Sequence, residues 1–151
     1  MFEIIYICKV GILAGIIMGM AAMILNLVKF TTLDLTSYMG CLLTKRSSGT
    51  INFIAGFSFH LFASAVLALV YVFVIGMFQI SLSLHAGIVA GCIHTIISGC
   101  LLPQLDRFNA CAAKGKLPRM GYFASNYGTN AIITFTAGHI IYAVVVFWML
   151  A

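Results

Sequence analysis

The chain alternates long apolar runs with short polar intervals, and the runs exceed what the core of a soluble domain needs. Residues 51–78, INFIAGFSFHLFASAVLALVYVFVIGMF, hold no Asp, Glu, Lys or Arg over 28 positions. At about 1.5 Å of rise per residue, a helix of that length outruns the roughly 30 Å hydrocarbon core of a bilayer. Runs at 10–28, 84–102 and 129–150 have the same character. The pattern predicts an all-α integral membrane protein with four transmembrane helices. Lys29 closes the first run, Pro103 marks the exit of the third, and Trp148 near the end of the fourth suits a membrane interface. The link at 79–83 is short enough to make the second and third helices antiparallel neighbours.

Small residues recur at helical spacing within these runs. The stripes are Gly11, Gly15 and Gly19; Gly56, His60, Ser64 and Ala68; and Gly87, Gly91, Thr95 and Gly99. Positions four apart share a helix face, and small residues there let a second backbone approach closely, which is how helices associate in lipid. These faces are expected to meet protein, and the remaining faces lipid. Between the runs, 30–50 carries Asp34, Lys45 and Arg46, and 104–128 carries Asp106, Arg107, Lys114, Lys116 and Arg119. Thr32 to Leu35 is expected to start a short interfacial helix, because an acid near a helix start is electrostatically favoured. Residues 1–9 read as a short head before the first span.

Composition agrees with membrane burial. Of the 151 residues, 63% are hydrophobic and 7% charged, against about a quarter charged in soluble domains. The length leaves no room for a separate soluble domain. Eight Lys and Arg against three acids give a net charge of +5. These charges sit at span ends and in the two polar connections, which points to topology and anionic lipid, with no nucleic acid expected. The positive-inside rule places 30–50 and 104–128 in the cytoplasm, and both termini across a bacterial inner membrane. Five cysteines, Cys8, Cys41, Cys92, Cys100 and Cys111, include no CxxC pair, so no disulfide framework is expected.

The chain also reads as two related halves, 10–78 and 84–150. Gly11 and Gly15 correspond to Gly87 and Gly91 at an offset of 76, and His60 to His139 at an offset of 79. Two spans per unit would give both helical hairpins the same membrane orientation, a parallel repeat.

His60, His94 and His139 fall at similar depth, roughly 12 to 15 Å from the same end of their helices by the rise per residue. Histidine inside a span is a candidate site, with three readings. Each ring can make an interhelical hydrogen bond; the set can hold a transition metal or haem; or it can line a proton or solute path. Glu3, Asp34 and Asp106, the only acids, lie outside the runs, which counts against a hydrated-cation site and against carboxylate-based hydrolysis. His85 lies near the opposite surface. Met18, Met20 and Met23 read as flexible apolar packing. No phosphate-binding, zinc-protease or nucleophile-elbow motif is present, and no catalytic residue is assigned.

Several motifs together resemble small bacterial four-helix inner-membrane proteins of unknown function. They are the glycine-striped first helix, Leu33-Asp34 followed by Met39-Gly40, Gly56-x3-His60 leading to Tyr71, Gly87-x3-Gly91-x2-His94, Leu117-Pro118-Arg119-Met120, and Gly138-His139-x2-Tyr142. The chain departs from that pattern at Ala63 and Ser64, where glycine is looked for, and at Leu117, where histidine is typical. The resemblance implies four helices and supplies no reaction. The expected function is a small integral membrane subunit or scaffold in contact with lipid, in a homo-oligomer or larger membrane complex. The alternatives are a small-solute or proton transporter or channel, and a haem- or metal-binding redox protein.

Overall fold

The computed structural model describes residues 3–151. Four of its helices are long and apolar enough to cross a membrane: α1 (Ile4–Leu27), α3 (Thr50–Phe78), α4 (Leu84–Phe108) and α6 (Thr129–Leu150). Two short helices, α2 (Leu35–Thr44) and α5 (Ala110–Ala113), and a 3-10 segment, Tyr122–Tyr127, cover one end of the bundle. No strand occurs among the described residues.

The fourth span matches its sequence boundaries, and the first begins earlier. Lys9 lies inside α1, whose helix starts at Ile4. Pro103 does not end α4, which continues to Phe108. A proline costs an interior helix one backbone bond. Here the helix is anchored on both sides of it, by the buried Leu102 just before and the buried Asp106 one turn after. Asp34 caps α2 as expected, its side chain accepting from Ser37 N at 2.9 Å.

Glycine faces decide which helices pack. A Cβ at Gly11 would strike Ser64 O and Ala68 of α3, and one at Gly15 would strike Ser64. Gly87 and Gly91 press α4 against α6 at Phe147 and Ile140. Thus α1 packs on α3, α4 on α6, and α1 on α6. Tyr6 Oη donates to Met149 O at 2.8 Å, and Asn130 Nδ2 donates to Phe30 O at 2.7 Å, pinning antiparallel α1 and α6 at both ends.

The short link does not make α3 and α4 a close-packed pair. Their small-residue faces are taken by α1 and α6, so the α3–α4 side stays the loosest seam of the bundle. Two glycines serve the short elements instead of the spans: Gly56 meets the backbone of α2 at Thr36 and Gly40, and Gly99 meets the ring of Phe123. Gly19 packs loosely, with His60 at 3.5 Å from an added Cβ.

Two apolar clusters fill the bundle. Val10, Ala14, Val146 and Leu150 close the end that carries the termini. Leu33, Tyr38, Leu102, Met120 and Phe135 close the end that carries α2.

Candidate functional site

The stripe of α3 faces inward as expected: Asn52, Gly56, His60, Ser64 and Ala68 are its buried residues. His60 reaches α1, where its Nε2–H donates to Gly15 O at 3.0 Å. This contact exists because Gly15 and Gly19 leave no side chains between the two helices. On α6, His139 Nδ1–H donates to Phe135 O, one turn back, at 2.7 Å. On α4, His94 Nδ1 lies 3.0 Å from Tyr71 Oη of α3. The Tyr71 hydroxyl makes no other hydrogen bond; because an imidazole nitrogen accepts far better than a phenol oxygen, we assign Tyr71 as the donor, which places the His94 proton on Nε2. This one bond bridges the α3–α4 seam.

The rings of His94 and His139 stand edge to face, with centroids 4.6 Å apart, and Tyr142 lies 5.9 Å from His94. Tyr142 Oη in turn donates to Ser64 O at 2.5 Å. All three spanning histidines line one cavity of about 190 Å3 in the seam, together with Ser98, Tyr142 and apolar groups including Met18 and Leu101. The similar depth inferred from sequence therefore becomes a shared cavity. His85 is exposed and separate.

A second hollow of about 430 Å3 adjoins the first, sharing Met18, Leu35, Met39 and His60 with it. It runs between α1, α2 and α3 towards Asn26 and Asp34. Helix α2 contributes Leu35 and Met39 to both hollows and so forms their common wall.

What holds α2 in place lay outside the sequence reading. Asp106 is buried near the end of α4, where its Oδ1 accepts from Tyr38 Oη at 2.7 Å and Met120 N at 2.8 Å, and its Oδ2 from Gly121 N at 3.0 Å. Burial and the Asp106 carboxylate both push the Tyr38 hydroxyl well above the usual tyrosine range. Burial, then the carboxylates of Asp34 and Asp106, push Tyr127 up to about 12. Asn109 is fully buried; its Nδ2 donates to Tyr38 O and its Oδ1 caps α5. Asn52 ties α3 to α2 by donating to Ser37 O and accepting from Thr44 Oγ1.

Cys41 and Cys111, 70 residues apart and both fully buried, form a disulfide between α2 and α5. This overturns the expectation drawn from cysteine spacing. Spacing along the chain carries no information about a bond whose closure is set by tertiary packing. Cys8, Cys92 and Cys100 are free.

Among the described residues, no group of three or more His, Cys, Asp or Glu side chains is arranged to hold a metal ion. The edge-to-face contact of His94 with His139 also leaves no gap for a porphyrin between those two rings.

The chain matches no protein-family model, and neither the curated proteins nor the solved structures contain a significant match to it. The molecule is thus defined by its own geometry, a small all-α bundle with four membrane-length apolar helices and a histidine-lined cavity in the α3–α4 seam.

Proposed function

We propose that this protein is a small multi-pass membrane subunit that binds a small, largely apolar molecule within the bilayer, in the cavity of His60, His94 and His139. The observation that carries this reading is the division of labour on each ring. One nitrogen of each histidine is spent on the fold, while all three side chains line the same cavity. A purely structural histidine needs no cavity beside it, and a cavity in the α3–α4 seam is where a molecule dissolved in the bilayer would arrive.

A through-channel fits less well. Val10, Ala14, Val146 and Leu150 fill the bundle between the cavity and the end carrying the termini, so access is from the seam or from the α2 side. The scaffold reading keeps its support in the outward apolar surface of α3, with Phe62, Val66, Val70 and Phe73 all exposed. A subunit that binds a ligand inside and packs against lipid or protein outside satisfies both.

The pairing of α1 with α3 and α4 with α6 through equivalent glycines supports a duplicated two-helix unit. For orientation, two observations pull apart. The two polar connections, counted with Lys29 at the edge of the first, carry the net +5, which favours a cytoplasmic location in a bacterial inner membrane. The disulfide favours an oxidising compartment. Charge acts during insertion, before Cys41 and Cys111 can meet, so we assign the α2 face to the cytoplasm. The bond then responds to the thiol balance of that compartment.

The test is gentle purification followed by native mass spectrometry with metal and optical analysis. A bound apolar molecule that survives micelle removal, and is lost when Ser98→Phe fills the cavity, supports the reading. Protein that carries nothing, in several detergents and in lipid nanodiscs, would sink it.

A further inference from the structure

Building on the binding site proposed above, we infer that the cavity is made for a phenolic head group, one aromatic ring carrying a neutral hydroxyl. The argument starts from which ring nitrogens carry protons. His60 Nε2 faces the carbonyl of Gly15, so it holds the proton and Nδ1 is left with a lone pair. His139 Nδ1 faces the carbonyl of Phe135, so Nε2 is left with a lone pair. His94 accepts from Tyr71 at Nδ1, so its Nε2 carries an N–H. Neutral rings are the form that these surroundings host at least cost, because no carboxylate stands among the cavity-lining residues to pair with an imidazolium.

These second nitrogens make no hydrogen bond within the protein. Among the described residues no sealed polar side-chain atom lacks a partner. Each of the three is therefore not sealed off, and the ring that carries it lines the cavity. The three rings offer two acceptors and one donor, the Ser98 hydroxyl adds one more polar group, and the rest of the lining includes Met18, Leu67, Leu101 and Phe135.

A hydroxyl answers that set, since it donates to one imidazole lone pair and accepts from the His94 N–H. A ketone or an ether has no proton for the lone pairs, and an ammonium would bring a charge with no counter-ion. The space holds one ring: a cavity of roughly 150 Å3 lined by aliphatic and aromatic side chains admits benzene, and this one has about 190 Å3. Water also fits the polar corner, but the apolar walls give a water cluster few partners. The adjoining hollow towards α2 has room for an alkyl substituent.

The experiment compares 4-fluorophenol with 4-fluoroanisole, the same ring with its hydroxyl proton replaced by a methyl, by fluorine NMR titration of the protein in nanodiscs. Empty nanodiscs correct for partition into lipid. The expected result is saturable binding of the phenol, at least about tenfold tighter than the ether, as leaving a buried acceptor unpaired requires. Both probes should lose binding in Ser98→Phe. Equal binding of the two, abolished by Ser98→Phe, would overturn the hydroxyl assignment and leave the apolar site standing. Binding that Ser98→Phe does not affect would place the probes elsewhere and overturn the inference. Saturable binding of neither probe would also refute the phenolic assignment; whether the chain retains some other apolar molecule is decided separately by native mass spectrometry. His94→Phe, which keeps an aromatic ring and removes the N–H, should weaken both probes, since either oxygen can accept from it; an unchanged phenol affinity would take the His94 N–H out of the site.

Discussion

Replacing Asp106 by Asn should cost the protein about 2 to 4 kcal/mol, because the carboxylate joins three segments and the amide cannot. Asp106 accepts from the Tyr38 hydroxyl of α2 and from the backbone N–H groups of Met120 and Gly121. An amide can offer its oxygen to Tyr38 and Met120, but its NH2 then faces the Gly121 N–H, setting donor against donor. Each hydrogen bond to an ionised group contributes about 1.5 to 3 kcal/mol, a neutral one about half, and a buried donor without a partner costs about 1 to 3 kcal/mol. Asp106→Ala removes both acceptor oxygens and all three hydrogen bonds and should cost more than the Asn variant. Tyr38→Phe removes one bond and should cost about 1 to 2 kcal/mol. The assay is reversible unfolding in mixed micelles followed by circular dichroism, with the double variant included to measure coupling. Because α2 walls both hollows with Leu35 and Met39, probe binding should weaken alongside stability. An Asp106→Asn variant within about 0.5 kcal/mol of the original, the range of ordinary surface substitutions, would refute this account of the α2 anchor.

Further outcomes follow from the same geometry. Gly56→Ala places its methyl against the backbone of Thr36 and Gly40, which cannot rotate away, and should destabilise by about 1 to 3 kcal/mol in the same assay. Gly19→Ala meets only ordinary contacts and should be near neutral or slightly stabilising, since alanine is the better helix former by about 1 kcal/mol; equal effects at the two positions would contradict the packing. Alkaline unfolding should show Tyr127, whose raised value means that the folded state holds its proton more tightly. That contribution is present below about pH 10, the ordinary tyrosine value, and is lost as pH rises towards about 12, so Tyr127→Phe should flatten the pH slope in that window. Reducing the disulfide should lower stability by up to about 4 kcal/mol from the chain-entropy relation for a 70-residue loop. The measured loss should be smaller in lipid, where unfolded helices are already confined; no change on complete reduction would show that α2 and α5 are held by hydrogen bonds alone.

The spans were legible in the sequence because bilayer thickness fixes how long an uncharged run must be. The inward stripe of α3 was legible because small residues at every fourth position have few other uses in lipid. Helix pairing was less so: a short link between α3 and α4 suggested close neighbours, yet Gly11, Gly15, Gly87 and Gly91 fit other partners better. Asp106 and Asn109 read as connection residues because Pro103 read as a helix stop. With the helix running on to Phe108, the same acid points into the fold and Asn109 caps the next turn. The similar depth of the histidines was legible in the spacing, whereas whether the rings meet, and which nitrogens are left over, required knowing their partners.

The Cys41–Cys111 bond closes a covalent ring that runs from the last turn of α2 through α3, the 79–83 link and α4 to the start of α5. Helices α1 and α6 are tails attached outside it. A single cut within 79–83 therefore opens the ring without releasing a fragment, and each product carries one glycine-striped helix with its histidine-bearing partner. On a gel without reductant the cut protein should run as one species, and with reductant as two of nearly equal size. The molecule can in this way be divided into its two halves after assembly, each half delivered intact for study of what the other contributes.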